Sequence, residues 1–219
     1  MKYKCLVLDH DDTVVDSTAC IHFPCFVQYL RERYPDIADN YDLNSYFEKN
    51  FEPGITSLLR DEVGLSESEM KEEELYWKDY VKNHIPSAYE GIGAIISDFM
   101  RKGGIVAVVS HSFEHYIRRD YEHNRLPMPT IIYGWDLPAE KRKPSPFAIE
   151  DLCRRYSLIP SDILVVDDLK PGYDMARAGG ADFAAAGWAY DVESIERFMR
   201  DNCDYYLNCV DELRALLFE

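Results

Sequence analysis

Two aspartates, Asp9 and Asp11, stand two positions apart at the end of a short apolar run, Leu6-Val7-Leu8. In extended chain, residues i and i+2 point to the same side. One carboxylate could therefore attack while the other handles a proton. A carboxylate attacking phosphorus gives an aspartyl-phosphate, which water then hydrolyses. A second apolar run, Ile105–Val109, ends in Ser110-His111-Ser112, and a later one, Ile163–Val166, ends in Asp167-Asp168. In open α/β sheets, ligands sit outside the carboxyl ends of the strands, so Asp9, Asp11, Asp167 and Asp168 are expected to converge. Like charges this close raise one another's pKa unless a cation is present. Oxygen-only donors favour a hard ion such as Mg²⁺. Lys143, within Glu140-Lys-Arg-Lys-Pro-Ser-Pro146, could neutralise both the nucleophile and the phosphoryl oxygens. Pro144 and Pro146 stiffen that loop, and a helix opening at Ser145-Pro146 directs free N–H groups at an anion.

Such residues need a sheet to hold them. Lys4–Leu8, Ile105–Val109, Thr130–Tyr133 and Ile163–Val166 are short and apolar without alternation, and Ala181–Ala186 and Tyr205–Leu207 are weaker candidates. Runs of this kind suit parallel strands buried on both faces. Amphipathic helices separate them. Ile92, Ile95, Ile96, Phe99 and Met100 follow the 3.6-residue period and stop at Gly103-Gly104, and Val192, Ile195, Phe198 and Met199 repeat the pattern. The alternation predicts an α/β fold with a doubly wound parallel sheet. Between Asp16 and Ser87 no strand is evident. Helices are expected at Ser17–Tyr34, bent or shortened by Pro24, at Ile55–Val63, and at Glu67–Lys82, which opens with a Ser66/Glu69 capping box. The expected division is a core of residues 1–15 and 88–219 with a helical insertion at 16–87.

Composition narrows the partners. The 219 residues carry a net charge of −16, with 24 Lys+Arg against 40 Asp+Glu. Surplus acid argues against nucleic acid, whose phosphates are held by surplus Lys and Arg. No apolar run approaches the roughly 20 residues of a membrane span. The first residues lead straight into the acidic cluster, which reads as no secretion signal. The six cysteines form no CxxC. Reduced thiols in a cytoplasmic protein are expected, as monomer or homodimer.

The ordered set Asp9-x-Asp11-x-Thr13, Ser110, Lys143-Pro-x-Pro and Asp167-Asp168 resembles the haloacid dehalogenase-like hydrolase superfamily across nearly the whole chain. The segment Asp167–Gly172, followed by Met175-Ala-Arg-Ala-Gly179, looks like the branch of phosphoglycolate phosphatases and β-phosphoglucomutases. The resemblance implies a Rossmann-like core with an α-helical cap. It implies Asp9 as nucleophile and Asp11 as general acid/base. It implies Ser110 and the His111 N–H as phosphate ligands, Lys143 as the phosphate-binding lysine, and Thr13 as the residue that orders the catalytic loop. Mg²⁺ would be held by Asp9, the Asp11 main-chain carbonyl and Asp168, with Asp167 directly or through water. Asp12 departs from the commonest pattern, where Gly is frequent.

The activity so implied is Mg²⁺-dependent hydrolysis of a small phosphorylated metabolite. Asp11 and the acidic pair speak against dehalogenation. Insert lysines Lys49, Lys71, Lys78 and Lys82 read as solvated rather than as Schiff-base groups. Two alternatives stay open. A sugar-phosphate mutase would use cap groups such as His22, which otherwise reads as packing or surface. A phospho-ligand binding protein without turnover would share the pocket, although Asp11 would hasten phosphoenzyme breakdown. His111 and His115, four apart, lack the partners of a zinc site. Tyr76, Trp77 and Tyr80 read as cap core. Phe51-Glu-Pro-Gly54 resembles a specificity loop, and Arg60 could reach an anionic substrate or pair with Glu.

Overall fold

The computed structural model describes residues 1–219. In chain order it holds β1 (Cys5–Leu8), β2 (Val15–Asp16), α1 (Phe23–Arg33), α2 (Leu43–Phe51), α3 (Ile55–Ser57), α4 (Glu67–Lys82), β3 (Ser87–Ala88), α5 (Ile92–Arg101), β4 (Ile105–Val109), α6 (Glu114–His123) and β5 (Ile131–Tyr133). Next come α7 (Phe147–Tyr156), β6 (Ile163–Asp167), α8 (Lys170–Gly179), β7 (Asp182–Ala186), α9 (Glu193–Asn202), β8 (Tyr205–Leu207) and α10 (Val210–Phe218). Six strands form one sheet in the order β5-β4-β1-β6-β7-β8, and every pair in it is parallel.

The strand residues explain why this sheet is covered on both faces. Leu6, Leu8, Val106, Val108, Leu164 and Val166 belong to one buried cluster. The residues between them, Val7, Ala107, Val109, Ile163 and Val165, belong to another. Successive side chains alternate across a strand, so both sets must find apolar cover. The amphipathic helices supply it, through Ile92, Ile96 and Phe99 on one face and Ile149, Leu152 and Met175 on the other. All six expected strands form, with no end shifted by more than one residue.

Residues between β2 and β3 are helical. A π-turn at Thr18–His22 runs into α1, where Pro24 sits in the first turn rather than kinking the helix. This is where proline's missing N–H is harmless. Their own apolar cluster contains Phe26, Tyr29, Leu30, Tyr46, Leu58 and Leu59. The capping box at Ser66 and Glu69 forms as expected. Helix α2 was not evident from the sequence, although Asp42 caps it through a second box with Ser45. The region is also not free of strand at its ends, since β2 and β3 pair antiparallel, Val15 with Ala88 and Asp16 with Ser87. Helix α7 starts at Phe147 after Pro146, and Ser145 makes no cap bond, contrary to the sequence expectation.

All six cysteines are free, and no helix is long and apolar enough to cross a membrane. The central strand sets the stability. Leu6→Ala, with Leu6 fully buried, should cost about 2–5 kcal/mol, read as a lower denaturation midpoint with an unchanged slope.

Candidate active site

Strand β1 ends at Leu8, and the chain turns at once. The Asp9 N–H still donates to the Val166 carbonyl at 2.9 Å, which extends the ladder by one residue. The His10 carbonyl then accepts from Val14 N at 2.9 Å and Val15 N at 3.1 Å. This closes a tight turn around Asp11 and Asp12. Asp12 has φ +58°, in the left-handed region that favours glycine. An aspartate is tolerated because its Oδ1 accepts from the N–H groups of Ser17, 3.2 Å, and Thr18, 3.0 Å.

The ends of β1, β4 and β6 bring the expected residues together. Lys143 Nζ donates to Asp9 Oδ1 and to Asp167 Oδ2, each at 2.6 Å. All three groups are buried. Asp9 Oδ2 has no hydrogen bond. Asp167 Oδ1 accepts from Leu169 N at 2.8 Å, so both its oxygens are held. Asp168 anchors its carbonyl to the Tyr190 hydroxyl, while its buried Oδ1 has no partner. Oxygens of Asp9, Asp167 and Asp168 lie within 4.8 Å of one another.

Electrostatics make this trio incomplete. Burial raises the pKa of Asp9, with Asp167 and Asp11 adding to it and Lys143 opposing. Burial also raises that of Asp168, reinforced by Asp12, Asp167 and Asp9. Burial opposes the charge on Lys143, yet Asp167 and Asp9 hold its pKa above the usual lysine value. One ammonium cannot balance three carboxylates. An orphaned carboxylate oxygen beside two more is the donor set of a hard divalent cation, so these residues fit one.

The Asp11 carboxylate turns elsewhere. Its Oδ2 accepts from Ser112 Oγ at 2.6 Å and, weakly, from Ser110 Oγ at 3.5 Å. Its Oδ1 accepts from Ser17 Oγ at 2.8 Å and faces His22 Nε2 at 3.1 Å. Burial disfavours the charge, but the His22 bond and charge, with Ser112, hold this carboxyl below the usual range. The expectation that Asp11 helps hold the cation therefore does not extend to its side chain. Trp77 Nε1 donates to His22 Nδ1 at 3.1 Å, and the two rings stack with centroids 5.8 Å apart. That donor needs Nδ1 unprotonated, which leaves the ring proton on Nε2, facing Asp11. Burial also disfavours a charged His22, whereas Asp11 and Asp12 draw its pKa up.

Other expectations fare unevenly. Ser110 Oγ accepts from Ser112 N at 2.9 Å, and His111 Nε2 lies 3.0 Å from the Lys143 carbonyl. Thr13 is buried in the turn, but its hydroxyl has no partner. Its contribution to order is the carbonyl, which accepts from Trp188 Nε1 at 3.3 Å. Arg60 is exposed and pairs with Glu67, 3.5 Å away. Phe51 packs edge-on against Phe198 of α9, centroids 5.2 Å apart, so the supposed specificity loop docks on the core. Tyr76 joins the inner cluster of the insertion, as expected. Sequence reasoning passed over Ser17 and Ser112 and read His22 as packing or surface. Ser112 was visible as a second hydroxyl after β4. Nothing in the sequence pairs Trp77 with His22.

Gly172 lies so close to Asp167 that a Cβ would overlap its carboxylate. Gly172→Ala should therefore turn Asp167 away from Lys143 and lower divalent-cation affinity about 10–100-fold, as measured by calorimetry.

The chain matches the family described as haloacid dehalogenase-like hydrolase over residues 6–186. No curated protein matches it. Among solved structures it is similar to a conserved haloacid dehalogenase-like protein of Agrobacterium tumefaciens, at TM-score 0.71 and 18% identity, covering 98% of this chain and 97% of that one. A predicted phosphoglycolate phosphatase of Haemophilus somnus is similar at TM-score 0.73 and 17% identity, with 99% of each chain covered. A family hydrolase of Deinococcus radiodurans, with bound phosphate and sodium, is similar at TM-score 0.68 and 18% identity, covering 99% of this chain and 95% of that one. Identities this low carry the fold alone, but the family match spans most of the chain and the strand-end residues of its site. The chain belongs to the haloacid dehalogenase-like hydrolase family.

Proposed function

We propose that the protein is a Mg²⁺-dependent phosphatase that hydrolyses a small phosphorylated metabolite through an aspartyl-phosphate on Asp9. The observation that carries this reading is the Asp9 carboxylate, held at Oδ1 by Lys143 at 2.6 Å and with no hydrogen bond at Oδ2. A nucleophile fixed by one oxygen and unbonded at the other is oriented for in-line attack.

Asp9 Oδ2 attacks phosphorus, and the bond from phosphorus to the ester oxygen breaks. Asp11, which Ser17, Ser112 and His22 hold ionised at rest, must first take up a proton from water, and delivers it to the departing oxygen. It then takes one from the water that attacks the aspartyl-phosphate, which releases inorganic phosphate and restores Asp9. Lys143, Ser110 and the His111 N–H bind the phosphoryl oxygens, and Thr13 keeps the turn in shape. Asp9, Asp168 and the Asp11 carbonyl would hold Mg²⁺, with Asp167 directly or through water. The bound ion supplies positive charge for the carboxylates and the phosphoryl group. Residues 16–87 act as a cap over the core of residues 1–15 and 88–219, excluding water and selecting the leaving group. The cap moves about the β2 and β3 segments, and the likeness to predicted phosphoglycolate phosphatases supports a small substrate.

The His22–Asp11 contact favours a second reading, transfer of the phosphoryl group to a sugar hydroxyl instead of water. Product analysis with sugar phosphates separates the two, because a mutase conserves ester phosphate and a phosphatase releases it.

Phosphate release from small phosphomonoesters should require Mg²⁺ and stop on rigorous chelation. Full activity without metal would overturn the metal-assisted reading. Asp9→Asn should abolish turnover by several orders of magnitude while substrate still binds. Asp11→Asn should lower turnover of an alkyl phosphate about 10²–10⁴-fold. With nitrophenyl phosphate, whose leaving group barely needs a proton, the first transfer should survive better. Phosphoryl label trapped on any residue but Asp9 would refute the assignment.

A further inference from the structure

We propose that Asp120 is a positioning residue, tying the seat of the nucleophile to the end of α4 about which the helical insertion turns. His10, between Asp9 and Asp11, is buried. Its one polar partner is Asp120, whose Oδ2 lies 3.1 Å from Nε2. Nδ1 has none. Tyr121 stacks beside the ring with centroids 5.9 Å apart, so its polar and its aromatic partner both come from α6.

The second oxygen of Asp120 is also taken. Oδ1 accepts from Arg119 Nε at 2.7 Å. The same guanidinium donates through Nη1 to the carbonyls of Val81, 2.8 Å, and Lys82, 3.3 Å, and through Nη2 to that of His84, 3.3 Å. Val81 and Lys82 end α4. The last carbonyls of a helix have no intrahelical donor, and a cation there also meets the negative end of the helix dipole. One turn along, Asn124 accepts from Ala88 N at 2.9 Å and donates to the Pro86 carbonyl at 2.9 Å. Helix α6 and the residue after it thus grip the whole return segment 81–88.

Helix α4 therefore reaches the catalytic turn by two routes. Trp77 holds His22 and through it Asp11. Arg119 holds Asp120 and through it His10. The Arg119 end is clamped by three carbonyls and serves as the pivot. The His22–Asp11 contact is the one that opening breaks. Asp120 does its work by offering an oxygen to each neighbour at once. Asparagine keeps the shape but offers one oxygen, so it must either release His10 or Arg119, or turn its amide to His10 Nε2 and drive the ring proton onto Nδ1, which has no partner.

The proposal uses the phosphatase reading only for its kinetic readout. Asp120→Asn should lower kcat for a phosphomonoester about 10–100-fold, the scale of a misplaced reacting group, with KM nearly unchanged. Amide hydrogen exchange should quicken together in residues 9–13 and 81–88, with the rest of α6 as slow as before. Arg119→Gln should give the same paired acceleration with a smaller fall in kcat, and it carries the test if Asp120→Asn does not fold. Arg119→Lys should not restore wild-type behaviour, because a point charge cannot span the three carbonyls and Asp120. Exchange that quickens in 81–88 alone, or an unchanged kcat in a folded variant, overturns the proposal. A wild-type protein without phosphatase turnover would refute the phosphatase reading and leave the paired exchange to decide this one.

Discussion

The buried Lys143 bridge between Asp9 and Asp167 is the interaction on which the rest of the site depends. Removing a charge from water costs several kcal/mol unless it is paired and hydrogen-bonded. Here Asp9, Asp12, Asp167 and Asp168 are all buried at one edge of the sheet, and Lys143 is the buried lysine among them. The parallel sheet makes this crowding unavoidable, because β1 and β6 are neighbours in register and their carboxyl ends coincide. The surrounding main chain is arranged around the surplus. Leu169 N binds one Asp167 oxygen, the Ser17 and Thr18 N–H groups bind one of Asp12, and one buried oxygen of Asp168 is left without a partner.

Charge also sets the two aspartates of the turn after β1 in different surroundings. Asp9 faces an ammonium and other carboxylates, and its environment is set by burial and like charge. Asp11 faces two hydroxyls and an imidazole, which hold it low. Carboxylates two residues apart in sequence thus sit in contrasting surroundings, which push Asp9 toward its neutral form and hold Asp11 ionised; the proposed roles therefore need a cation to restore the charge on Asp9 and the loss of the His22 contact before Asp11 can carry a proton. The contrast arises because the helical insertion contributes to one and not to the other. His22 and Ser17 belong to it, whereas Asp167 ends β6 and Lys143 comes from the loop before α7.

The sequence reading succeeded where a local rule governed the outcome. Apolar runs without alternation marked the strands, and the acids and hydroxyls that end them marked the site, since strand ends in a parallel sheet must share one edge. It fell short where contacts join distant segments. His22 meets Trp77 across 55 positions and His10 meets Asp120 across 110, and no periodicity reports such a meeting. Helix α2 escaped notice because its apolar face is short, with Tyr46, Phe47 and Phe51 buried on two different clusters. Arg60 could equally have bound substrate or glutamate, and only the packing of the chain decides for Glu67.

Asp12 shows how strain at the site is offset. A non-glycine residue at φ +58° carries a cost of about 1–2 kcal/mol, and its carboxylate is buried besides. Glycine would remove both. It would also remove the acceptor that the Ser17 and Thr18 N–H groups find in Oδ1, at the first turn of the insertion. Two buried N–H groups without an acceptor would cost at least as much as the strain relieved. The unfavourable backbone is therefore held in place by the helix it starts. The same bonds fix where Ser17 and His22 stand relative to Asp11. A turn that is poor by local preference becomes the shared fixture of the catalytic loop and the segment above it.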